Sequence, residues 1–140
     1  MPIAWTTPLD FEPPVVACCI GDQSRTFQII KKTKEFVINI PTAELVKKVY
    51  GCGQISGRTV DKFKMFKLTA EPASKVKAPL IQECYASLEC KVIDSSLVSK
   101  YNLFIVQVIA AWVDLKVKHP KTLHHITGKR FILGGKEILA

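Results

Sequence analysis

The sequence predicts an α+β fold, mainly β, on three observations. The first half holds two short stretches with helical spacing of apolar residues behind plausible capping residues, whereas the second half alternates apolar and polar residues over long runs. The chain has 140 residues, 48% hydrophobic and 23% charged, enough to bury one core and too apolar for a disordered polypeptide. No Pro, Gly or Ser tract is long enough to link domains, so residues 1–140 are expected to form one domain.

Taken in order, the elements follow from local chemistry. After an opening segment that ends at Pro13-Pro14, the continuous apolar run Val15 to Ile20 reads as a strand buried on both faces, closed by Gly21-Asp22. Ser24 is placed to cap a helix through about Thr33, with Phe27, Ile30 and Ile29 inward and Lys31, Lys32 and Lys34 at the end whose dipole favours cations. Glu35 to Ile40 alternates and stops at Pro41; Thr42 then caps a second helix carrying Leu45, Val46 and Val49, ended by Gly51-Cys52-Gly53. A short helix is expected around Val60 to Phe66, with irregular chain from Pro72 to Pro79. Tyr85 to Ile93 and Tyr101 to Leu115 read as long strands joined near Asp94 to Lys100, and Arg130 to Ile138 as a last strand. Helices on a mainly antiparallel sheet give α+β, and closing the sheet into a barrel removes its edges.

Composition narrows function without choosing it. The 20 Lys and Arg against 12 Asp and Glu give a net charge of +8, which attracts any anion, whether nucleic acid, membrane or phosphorylated cofactor. The lysines are dispersed, as on an ordinary solvated surface. The five cysteines form no CxxC pair and no zinc-finger spacing with histidine, so buried free thiols in a reducing compartment are expected, with no metal site. No apolar run reaches membrane-spanning length, and Met1 to Trp5 lacks the character of a secretory signal. A cytoplasmic location is expected.

Ser56-Gly57-Arg58-Thr59-Val60-Asp61-Lys62-Phe63 resembles the Ser-Gly-Arg/Lys-x-x-Asp-Lys-Phe signature of flavoredoxins and related flavin reductases. The Met1 to Thr7 segment before a Pro-Pro-Val-Val strand, Ser24-Arg25-Thr26 opening the first helix, Glu35 to Pro41, and Leu88 to Val92 are similar to that family in type and order. The resemblance covers most of residues 1–115. It implies an FMN-binding split β-barrel with flanking helices that usually dimerises, and a non-covalent FMN reduced by NADH or NADPH or relaying electrons to a redox partner protein. Family members carry further residues before the position of Met1, so the resemblance also implies that the first one or two barrel strands are lacking here.

Under that resemblance each part of FMN asks for different residues. Ser24, Arg25 and Thr26, where a strand turns into a helix, suit the phosphate through hydroxyls, a guanidinium and backbone N–H groups at a positive helix end. Ser56, Gly57, Arg58 and Lys62 form the second set, with Lys62 as a point charge and Asp61 orienting Arg58 or Lys62. Ala4, Trp5, Thr6 and Thr7 are expected along the ring's N and O edge, with Trp5 near the ring. No protein acid or base is required, because hydride chemistry belongs to the flavin. Plainer roles stay open for each: an ordinary N-cap with an exposed arginine, a capped surface helix with surface ion pairs, and a core position for Trp5. His124 and His125 would face opposite ways on a strand and read as structural, while the resemblance leaves open that one of them neighbours the ring or an interface. Other readings are a flavoredoxin-type electron carrier without reductase activity, a nucleic-acid-binding β-barrel and a structural dimer module. Phe104, Trp112 and Phe131 lie in apolar strands and suit the core better than base stacking.

Overall fold

The computed structural model describes residues 1–134. Five antiparallel strands make the main sheet, in the order β1-β2-β7-β6-β3. They are β1 (Thr6–Phe11), β2 (Pro14–Cys19), β3 (Glu35–Ile40), β6 (Ala86–Asp94) and β7 (Leu103–Val113). Two short hairpins stand apart, β4 (Ala70–Glu71) with β5 (Leu80–Ile81), and β8 (Leu123–Thr127) with β9 (Arg130–Leu133). The helices are α1 (Arg25–Thr33), α2 (Val46–Gln54), α3 (Lys62–Phe66) and α4 (Val98–Tyr101).

The central position of β7 follows from its composition. Leu103 to Val113 is the longest apolar run, and pairing on both sides satisfies its backbone while burying Phe104 and Val106 completely. Phe27 and Ile30 of α1 meet that face with Cys18, Ile20, Phe36, Cys90 and Val98. Phe27 and Phe104 pack edge to face, ring centroids 5.5 Å apart. Each fully buried large apolar side chain contributes about 1.5–3 kcal/mol, so this cluster anchors α1 to the sheet.

Helix α1 begins as expected: Ser24 Oγ accepts the Phe27 N–H at 3.0 Å, and Lys34 ends the helix in the left-handed region at φ 59°. Ile29 does not point inward as expected; it is 46% exposed, because the buried face is set by Phe27 and Ile30. Thr42 makes no side-chain cap. A 3-10 turn at Ala43–Leu45 leads into α2, which runs through Gly51 and Gly53 to Gln54. Gly51 is a packing residue and no terminator: a Cβ there would stand 2.4 Å from Phe66 Cε1. Asp61 acts on Lys62 through the backbone and not by a side-chain contact: its Oδ1 accepts the N–H groups of Phe63 and Lys64 and caps α3, the helix that Lys62 begins.

The opening segment holds an edge strand, β1, paired along β2. The expected joint between the long strands contains α4. Strand β8 was not anticipated either; with β9 it forms a hairpin turned at Gly128, φ 52°. Of the expected last strand, Arg130–Leu133 is present and residues 135–138 lie outside the described residues. Irregular chain from Pro72 to Pro79 is observed, tied down by Glu89.

A candidate anion cavity between two helix starts

A cavity of about 450 Å³ opens between the start of α1 and the loop that joins α2 to α3. Ser24, Arg25 and Thr26 line one side; Ser56, Gly57 and Lys62 line the other. Two segments some thirty residues apart, singled out separately in the sequence, therefore face one space. Among the described residues no carboxylate lines the cavity, while Arg25 and Lys62 do.

Local geometry explains the convergence. The Arg25 guanidinium donates to the Gly57 carbonyl, and the Lys62 ammonium donates to the Cys52 carbonyl. These two bonds tie the loop to α1 and α3 to α2. A Cβ built on Gly57 would lie 3.8 Å from Lys62 Cε and 4.0 Å from Arg25 Cδ, so the glycine passes between the two cationic chains. Ser24 Oγ and Ser56 Oγ each accept a backbone N–H, from Phe27 and Arg58, which leaves both hydroxyl protons free to donate. The N–H groups opening α1 have no intrahelical acceptor and add donors at the positive helix end.

Three expected residues sit elsewhere or differently. Arg58 does not line this cavity; its guanidinium donates to the Gln23 carbonyl at 3.0 Å and faces a second cavity. Ala4, Trp5, Thr6 and Thr7 also lie outside it, although Pro2 is on its wall. Thr6 and Thr7 belong to β1, and the Trp5 carbonyl accepts the Cys19 N–H at 3.0 Å. The Trp5 side chain is 74% exposed, which removes the core reading for it.

Residues not singled out from sequence complete the wall, among them Gln23, Ile29, Cys52 and Ile55. Helical spacing was the available signal for Ile29, one turn from Arg25 and Thr26; Cys52 to Ile55 directly precede the signature. Burial pushes the Cys52 thiol up, outweighing the downward pull of Lys62, so it is not an activated thiolate. His124 and His125 are both held inside their hairpin, at Thr122 Oγ1 (3.3 Å) and the Gly128 carbonyl (3.1 Å), and the His125 ring packs on Phe131. Phe104 is core, as expected, but Trp112 is 49% exposed and donates its indole N–H to Glu89. Among the described residues no helix is long and apolar enough to cross a membrane.

Comparison with known proteins agrees with this architecture. A family model described as flavin reductase like domain matches residues 1–134. An uncharacterized protein of Archaeoglobus fulgidus is 34% identical over 140 residues, 95% of this chain and 79% of that protein. The crystal structure of an FMN-binding domain of a flavin reductases-like enzyme from Shewanella baltica OS155 superposes with a TM-score of 0.92 at 28% identity, covering 99% of this chain and 80% of that one. Flavoredoxin of Desulfovibrio vulgaris (Miyazaki F) shares the fold, with a TM-score of 0.88 at 24% identity over 99% of this chain and 79% of its own. On the family match across the described residues and the shared split-barrel fold, this chain belongs to the flavin reductase like domain family.

Proposed function

We propose that this protein holds FMN non-covalently and passes electrons from NADH or NADPH through it to a further acceptor. The observation that carries the reading is the cavity where Ser24, Arg25, Thr26, Ser56, Gly57 and Lys62 meet with no carboxylate among them. That donor set fits a dianionic phosphate: three hydroxyls, one guanidinium with N–H groups beyond its bond to Gly57, one ammonium, and N–H groups at a helix start. When bound, the flavin supplies the hydride and electron transfer. The chain's own part is to fix the phosphate.

Lys62 acts as a point charge steered by its bond to the Cys52 carbonyl, and Asp61 sets its position by capping α3. Ala4 to Thr7 follow Pro2, which is on the cavity wall, and Trp5 is exposed; this segment would hold the ring edge, as the family resemblance implies. We further infer a homodimer, because Trp5, Phe11 (91% exposed) and Leu115 are left in solvent by the single chain. Buried Cys18 and Cys90 thiols suit a reducing compartment such as the cytoplasm.

The absorption spectrum of the purified protein, alone and with added FMN, tests the reading. A flavin spectrum that titrates to one FMN per chain supports it, with Lys62→Ala and Ser24→Ala each weakening affinity about tenfold, as for a lost charge-assisted hydrogen bond. Protein that stays colourless with added FMN refutes it. Bleaching of bound flavin by NADH or NADPH separates a reductase from an electron carrier that must be reduced by another protein.

A further inference from the structure

A second cavity, about 510 Å³, lies against α1. At 3.6 residues per turn, Arg25, Thr26 and Ile29 point to one side of the helix and Phe27, Gln28 and Lys31 to the opposite side. The first group lines the flavin cavity and the second lines this one, with Gln23 on both walls. The two spaces are therefore neighbours separated by α1 and by the bond from Arg58 to the Gln23 carbonyl.

It is an open cleft in which exposed cationic side chains stand above a buried apolar floor. Among the described residues, Lys31, Lys34 and Arg58 line it against one carboxylate, Asp22. Arg58 uses one nitrogen on Gln23 at 3.0 Å, which leaves further donors of a planar fork for an anion. Lys34 is held in place by its left-handed backbone, φ 59°, and by its N–H to the Ile30 carbonyl at 2.8 Å. Around the cations stand neutral hydrogen-bonding groups: Gln28, Ser95, Ser99 and Asn102. The floor is Phe27, Val98 and Phe104, all buried in the core, so it offers no exposed aromatic face on which a planar ring can stack. The volume falls within the roughly 300–1,000 Å³ of small-molecule sites.

We propose that this cavity is a binding site for the phosphate monoester of a small hydroxyl-rich molecule, a sugar phosphate or a nucleotide phosphate, distinct from the flavin cavity. The phosphate meets Lys31, Lys34 and Arg58, while Asp22 and the neutral groups accept and donate to the hydroxyls. A neutral sugar lacks the charge that the cations require.

Calorimetric titration of the purified protein, with and without saturating FMN, tests this with ribose 5-phosphate, adenosine 2′-monophosphate and ribose as probes. At least one of the two phosphates binds in both conditions, whichever is tighter identifies the source, and ribose does not bind. The double variant Lys31→Ala with Lys34→Asn loses about tenfold or more in affinity for that phosphate, as expected for charged hydrogen bonds. Asparagine is chosen because it tolerates the left-handed backbone at that position. Lys31→Glu alone reverses one charge and gives a second reading if the double variant folds poorly by circular dichroism. Unchanged affinity in both variants, no binding of either phosphate to the wild type, or binding abolished by FMN overturns the proposal. The last result puts the phosphate in the flavin cavity, and the FMN spectrum of the same sample reports separately on the flavin reading.

Discussion

Replacing Glu89 by glutamine removes the charge but almost no volume, and it should unfold a large part of the stability margin. Glu89 is fully buried on β6. Its Oε1 accepts from the Ser74 N–H (2.9 Å), the Ser74 hydroxyl (3.0 Å) and the Trp112 indole N–H (2.8 Å). Its Oε2 accepts from the Lys75 N–H (2.6 Å) and the Val76 N–H (3.2 Å). Every partner is a donor, so the glutamine amide nitrogen must face donors wherever it turns. If it takes the Oε2 place, two backbone N–H groups lose their acceptor at about 1–3 kcal/mol each. The Ser74 and Trp112 donors keep their acceptor at the Oε1 place, so the loss falls on those two backbone groups. We therefore expect Glu89→Gln to destabilise by about 2–6 kcal/mol, against a typical total of about 5–15 kcal/mol. In urea denaturation at neutral pH this moves the midpoint down by about 2 M for a slope near 2 kcal/mol/M. A shift below about 0.5 M would show that the carboxylate is not what holds residues 74–76 on the sheet.

The same group sets an acid dependence. Burial pushes the Glu89 carboxyl up, but the indole, hydroxyl and backbone donors outweigh it and hold the pKa at about 2, below the ordinary 4.5. The unfolded chain thus takes up the proton first, and stability present above about pH 4.5 is lost as pH falls toward 2. Glu89→Gln removes this contribution, so its stability should fall less steeply than wild type across that window. Parallel curves for the two proteins would refute the assignment.

Other predictions follow from single contacts. Gly51→Ala sets a methyl 2.4 Å from the Phe66 ring and should cost about 1–3 kcal/mol by overpacking, read as a lower thermal midpoint; an unchanged midpoint means that α2 and α3 do not pack this closely. Asp61→Ala removes the cap of α3, worth about 1 kcal/mol, and should weaken FMN binding by freeing Lys62, while Asp61→Asn keeps both; loss of affinity in the asparagine variant too would assign the effect to charge. Burial raises the Cys18 and Cys90 thiols to about 12, so a thiol reagent at pH 8 should spare both until denaturant is added, as peptide mapping will report; labelling of either in the folded protein contradicts their place in the core.

Much of the fold was legible because it rests on local patterns. The Ser24 cap, the strand from Glu35 to Ile40 and the two long strands each announce themselves within ten or so residues, and all are present. The misreadings occur where a distant partner decides. Gly51 reads as a helix stop, but Phe66 needs its missing side chain. Ile29 reads as core, yet Phe27 and Ile30 already define the buried face and leave it on a cavity wall. Glu89 reads as one polar residue in an alternating strand, since its donors lie 13 to 23 residues away.

By itself the sequence determined the longer elements, the family and the residue classes able to hold an anion, because periodicity, caps and a signature motif are written along the chain. Tertiary structure decided which candidates share one space. It put Ser24 to Thr26 and Ser56, Gly57 and Lys62 around a single cavity, and turned Arg58 away into a second. The reason is geometric: Arg58 sits in the turn before α3 and is drawn to the Gln23 carbonyl, and which residues of α1 meet that turn depends on how the core orients the helix on the sheet.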